Sequence, residues 1–163
     1  MSEPSATTTT SLQPGKPAPK FKLPSSTGEQ VDLGDYTGAR VVLYFYPRAD
    51  TPGCTKEACG FRDAIAGYRK LGVPVFGISP DPVADVTAFA EKFKLNFPLL
   101  ADADHAVAER FGVWQEKSMY GKKYMGVART TFVVRNSKIA QVFEKVKPEG
   151  HDQQVLEWLR ENL

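Results

Sequence analysis

The sequence predicts an α/β fold: a three-layer domain with a central mixed sheet and an N-terminal hairpin. Three observations carry this. Short runs apolar on both faces, at residues 40–46 and 73–79, alternate with longer stretches whose apolar residues recur every three or four positions, as buried strands alternate with the helices that cover them. Residues 129–146 read as two strands joined through Asn136 and Ser137, which adds an antiparallel pair. A final stretch at 151–162, with Val155, Leu156 and Leu159 facing in, supplies a closing helix for the third layer.

In chain order, residues 1–11 are rich in Ser, Thr and Pro and read as a disordered tail, which leaves 12–163 as one domain. Two extended pieces near 21–23 and 31–33 flank a Ser-Ser-Thr-Gly turn and make the hairpin. The strand at 40–46 runs into a helix over 52–71, where Ala58, Phe61, Ile65, Tyr68 and Leu71 share one face and Gly72 ends it. After the strand at 73–79 comes a helix with Pro82 early and Val86, Phe89, Ala90 and Phe93 on one face. A short strand at 97–102 and a short helix at 104–111 follow. Residues 112–126 hold three glycines, aromatics and methionines without a firm period, and read as a loop whose aromatics line a pocket or anchor into the core.

Composition narrows the function classes. A chain of 163 residues that is 42% hydrophobic fills one core, so one site is expected. The 21 Lys and Arg against 19 Asp and Glu are spread along the chain, and a net charge of +2 does not ask for nucleic acid. The apolar runs fall well short of the roughly 20 residues that cross a bilayer, and the N-terminus lacks a basic region followed by an apolar core. A soluble, cytoplasmic protein is the expectation. In a reducing compartment its 2 cysteines are either buried and inert or reactive.

Both cysteines fall in the stretch YFYPRADTPGCTKEAC, residues 44–59. Thr51 suits an N-cap and Pro52 a first helical position, which puts Cys54 in the first turn. Free N–H groups and the helix dipole there favour a thiolate, so a thiol below its ordinary pKa is expected, projecting toward the rim where α/β folds place their sites. Cys59 alone, on an apolar helix face, reads equally well as core packing. Zinc is disfavoured, because His105 and His151 lack ligand spacing. Five residues along an ideal helix separate two Cα atoms by about 8.6 Å. A disulfide needs less than about 7 Å. If the two ever bond, the helix start must unwind; the pair is a working dithiol or it never bonds.

The run Pro47-Arg48-Ala49-Asp50-Thr51-Pro52-Gly53-Cys54, with a second cysteine at Cys59, resembles the active-site segment of peroxiredoxins, and among them the Q-type or bacterioferritin comigratory group. PGKPAPKFKL, GISPD, FPLLAD and GVARTTFVV resemble family segments in the same order, from about Leu12 onward. The resemblance implies a thioredoxin-like fold and a thiol peroxidase without metal or bound cofactor. It implies that Cys54 attacks a peroxide and becomes a sulfenic acid, that Thr51 orients thiolate and peroxide, and that Pro47 shields the site. It further implies that Arg129 stabilises developing negative charge and that the amides of Gly53 and Cys54 bind the peroxide. Cys59 is then the resolving thiol, and thioredoxin or a similar dithiol the reductant of a monomeric enzyme. Phe45 and Trp114 are candidates for the part of the pocket that meets an alkyl group. Glu57 is read as complementing the helix dipole in the first turn. A redox sensor that exposes apolar surface on unwinding is the alternative from another class; a general disulfide oxidoreductase fits less well, because four residues separate the cysteines where Cys-x-x-Cys is usual.

Overall fold

The computed structural model describes residues 5, 6 and 9–162. Its centre is a five-stranded mixed sheet of strand order β10-β9-β4-β5-β6, made by β4 (Arg40–Phe45), β5 (Val75–Ser79), β6 (Leu99–Ala101), β9 (Thr130–Arg135) and β10 (Lys138–Phe143). β4, β5 and β6 run parallel, while β9 is antiparallel to both β4 and β10. The expected mixed sheet is therefore present, with the antiparallel pair on one edge. That pair turns through Asn136 and Ser137, both at positive φ, the backbone of a two-residue turn that matches strand twist.

Period-two alternation along β4 divides the core. Val42, Tyr44 and Tyr46 point to one face, where α1 (Pro52–Lys70), α2 (Val83–Lys92) and α4 (His151–Glu161) supply Phe61, Phe89 and Leu159. Val41, Leu43 and Phe45 point to the other, toward α3 (Ala106–Arg110) and the hairpin of β2 (Lys22–Pro24) and β3 (Gln30–Asp32), through Val107, Phe21 and Leu23. Three layers result, as expected. α1 closes with the geometry its sequence predicts: Gly72 is left-handed at φ 69°, its N–H meets Arg69 O, and the Val73 N–H meets Tyr68 O.

Two expectations need correction. Residues 112–126 do not form a loop; they form an antiparallel ribbon of β7 (Trp114–Met119) and β8 (Lys122–Val127) with Tyr120 and Gly121, both at positive φ, as its turn. The ribbon leaves little mark on the sequence because one side of it meets solvent with Lys, Tyr and Met, and Tyr-Gly is a weaker turn signal than Asn-Gly. Of the disordered tail expected over 1–11, residues 1–4, 7 and 8 lie outside the described residues. β1 (Ser5–Ala6) pairs with β7. Thr10 is buried: its hydroxyl donates to Phe111 O at 2.7 Å and its N–H to Glu144 Oε1 at 2.7 Å. Those bonds tie the chain down two residues before Leu12.

Candidate active site

The site forms where parallel β4 ends and α1 begins, a usual location for chemistry in open α/β sheets. The loop between them is held by Asp81, whose Oδ2 accepts the Ala49 N–H at 2.8 Å, and by Lys92, which binds Asp50 at 2.9 Å. Thr51 caps α1 with extended backbone, and Pro52 takes the first helical position, as its ring allows. The Thr51 hydroxyl does not cap the helix; it donates to Arg48 O at 2.9 Å. Gly53 and Cys54 follow in the first turn, where amides have no acceptor within the helix.

Strand register delivers the second half of the site. Phe45 pairs with Thr130, so Arg129 emerges just past the end of β4, beside the start of α1. Its Nη2 donates to Cys54 Sγ at 3.5 Å and its Nη1 to Glu57 Oε1 at 2.7 Å. All three groups are buried, Cys54 and Glu57 at 1% exposure and Arg129 at 6%. The expectation for Glu57, a place in the first turn where it complements the helix dipole, is corrected. It lies in the second turn and points inward, because three residues after Cys54 is the same helix face. That offset is present in the sequence and could have found it.

Electrostatics also revise an expectation. Burial pushes the Cys54 thiol up from its ordinary value and is the largest influence. The Arg129 charge, then hydrogen bonding to Thr51, to the Arg48 backbone and to Arg129, each pull it back down. The thiol is raised where lowering was expected, because its side chain packs among Tyr44, Tyr46 and Phe61 and does not project to the rim. Arg129 and Thr51 offset part of the cost of desolvating a thiolate.

Beside these groups opens a cavity of about 720 Å³ lined by Pro47, Thr51, Gly53, Trp114 and Arg129 of the predicted residues. The ribbon adds Lys117, Met119, Tyr124, Met125 and Val127, which no sequence motif singles out. Trp114 stacks on His105 with ring centres 3.9 Å apart. Phe45 is not part of the site. It is fully buried on the opposite face of the sheet, against Phe111 and Phe132, as its odd parity along β4 requires. Cys59 is half-buried on α1, and both cysteines are free in an unbroken helix. Among the described residues no group of three or more His, Cys, Asp or Glu could hold a metal ion, and no helix is long and apolar enough to cross a membrane.

Residues 14–142 match the AhpC/TSA family. The chain is 51% identical to the peroxiredoxin Bcp of Escherichia coli, across 93% of its own length and 97% of that protein's. Peroxiredoxin Q of Xanthomonas campestris has a TM-score of 0.82 to it at 37% identity, covering 86% of this chain and 90% of the other. A structure bearing on the alkyl peroxide reduction activity of the Xanthomonas campestris bacterioferritin comigratory protein matches with TM-score 0.82 and 36% identity, covering 87% and 91%.

Proposed function

The chain belongs to the AhpC/TSA family as a thioredoxin-like peroxiredoxin of the Q-type, or bacterioferritin comigratory, group, and on that premise we propose that it reduces hydrogen peroxide and organic hydroperoxides through Cys54 and Cys59. A peroxidase of this family takes a peroxide and a reductant; the reading here specifies the steps. The Cys54 thiolate attacks one peroxide oxygen, the O–O bond breaks, and the departing alkoxide or hydroxide takes a proton. Cys54 is left as a sulfenic acid. Cys59 then attacks that sulfur, water leaves, and an intramolecular disulfide closes. Thioredoxin or a similar dithiol reduces it by exchange.

The observation that best supports this reading is the Arg129 guanidinium, which touches Cys54 Sγ on one arm and Glu57 on the other while lining the cavity. A buried cation there favours the thiolate and the negative charge that develops on the leaving oxygen. Thr51 and the first-turn amides of Gly53 and Cys54 orient the peroxide, and Pro47 keeps water from the thiol. Trp114 and the ribbon receive an organic tail. The resemblance extends the reading to a cytoplasmic monomer that uses no bound cofactor.

Turnover distinguishes this enzyme from a sensor built on the same cysteines. NADPH consumption with thioredoxin, its reductase and a peroxide should be sustained by the natural protein and abolished by Cys54→Ser. Cys59→Ser should give one rapid oxidation followed by poor cycling. A Cys59→Ser protein that cycles normally removes the resolving role. A natural protein that is oxidised only once, stoichiometrically, removes the peroxidase.

A further inference from the structure

The cavity wall carries a second kind of oxidisable sulfur. The chain has 3 methionines. Apart from Met1, these are Met119 and Met125, and both line the cavity beside the thiol. Met119 ends β7 and is half-buried; Met125, on β8, is 51% exposed. Trp114, Tyr124 and Val127 line the same cavity. A thioether is unbranched and polarisable, so it adapts to tails of different shape. It is also oxidised by the compounds this cavity would admit.

Building on the peroxidase reading, we propose that Met119 and Met125 form a peroxide-sensitive substrate collar, in which sulfoxide formation shifts the enzyme from organic hydroperoxides toward hydrogen peroxide. In each step the sulfur lone pair attacks the terminal peroxide oxygen, the O–O bond breaks and an S–O bond forms. The terminal oxygen's proton passes to the departing alkoxide. Sulfur is oxidised by two electrons, the hydroperoxide is reduced to an alcohol, and no other reagent is consumed. Each collar residue thereby changes from apolar to polar on the cavity wall that also carries Trp114 and Val127, which opposes burial of an alkyl tail. Hydrogen peroxide has no tail to bury and needs only the Arg129 and Thr51 end of the cavity. Methionine sulfoxide reductases reverse the change.

The test begins with enzyme cycled in dithiothreitol with excess cumene hydroperoxide, reduced again and mapped by peptide mass. Met119 and Met125 should each gain one oxygen. kcat/KM for cumene hydroperoxide should fall about tenfold while that for hydrogen peroxide changes less than about twofold, the size expected when a pocket loses its apolar contact. Methionine sulfoxide reductase should restore the original ratio, and in Met119→Leu/Met125→Leu enzyme the treatment should leave the ratio where it started. Loss of both activities together, with Cys54 overoxidised and the ratio constant, would overturn the collar. So would sulfoxides at both positions with no change in ratio, or unmodified methionines at a dose that converts free methionine. In Cys54→Ser protein the same mapping reads methionine oxidation without any turnover, and dithiothreitol-supported activity of fresh enzyme judges the peroxidase reading separately.

Discussion

At the residue scale, the proposed peroxidase turns on the balance of influences at Cys54. Its burial raises the thiol pKa, and the Arg129 charge is the largest influence that lowers it. Replacing Arg129 by Gln removes that opposing influence, so the thiol moves further up and the thiolate fraction near neutrality falls. The rate of peroxide reduction by Arg129→Gln should drop about tenfold or more at pH 7, with its pH profile displaced to higher pH, as stopped-flow oxidation at several pH values would show. A profile that falls without moving would mean that Arg129 acts on the peroxide alone. Cys54 is legible in the sequence as a first-turn cysteine, since Thr, Pro and Gly before it define a helix start. The depth of that turn is not, because it depends on Tyr44 and Tyr46 arriving from a neighbouring strand. The face of Glu57 is legible from its three-residue offset from Cys54, but its partner is not, because Arg129 lies 72 residues away.

At the scale of elements, the proposed disulfide asks two arrangements of the first turns of α1. The helix is continuous from Pro52 to Lys70, and a regular helix holds the two cysteines about 8.6 Å apart, too far to bond. Glu57 lies between them, so unwinding withdraws it from Arg129 and leaves a buried cation to find water or another partner. Opening therefore costs free energy, which formation of the proposed S–S bond would have to offset. Hydrogen–deuterium exchange should report this: amides of residues 55–60 are protected in the reduced protein and exchange far faster in the disulfide form, while residues 62–70 keep their protection. Equal protection in both forms would place the disulfide elsewhere. The ribbon of β7 and β8 shows where reading elements from sequence fails. β4 and β5 are almost wholly buried and announce themselves by apolar runs, whereas β8 is mostly exposed and its Lys-Lys-Tyr-Met sequence is shaped by its surface as much as by strand formation.

For the whole molecule, the layers were legible because parity and helical period each name a face, and β4 obeys parity along its length. Parity also excludes Phe45 from the site, since Tyr44 and Tyr46 on either side of it face the helix that carries Cys54. Global stability carries a pH signature from His151, buried at 1% exposure where α4 starts. Its Nε2 meets Thr131 Oγ1 at 2.7 Å and its Nδ1 meets Gln154 Oε1 at 2.9 Å. Burial, the largest influence, depresses its pKa below the ordinary 6.5. Below that value the unfolded chain takes up a proton that the folded one refuses, so stability falls as pH falls. The slope is about 1.4 kcal/mol per pH unit until the folded value is reached. Urea titrations at pH 7.5 and 5.5 should show a smaller acid loss in His151→Gln than in the natural protein, and equal losses would remove His151 as the cause. The cavity takes its walls from two separate sheets. The five-stranded sheet anchors Arg129 and the helix that holds Cys54, whereas the surface proposed to meet a substrate's tail belongs to a hairpin ribbon outside it. On the proposed reading, a ribbon grafted from a related enzyme should change which tails are accepted while the reactivity of Cys54 stays as it was, so one cutting edge could serve many diets.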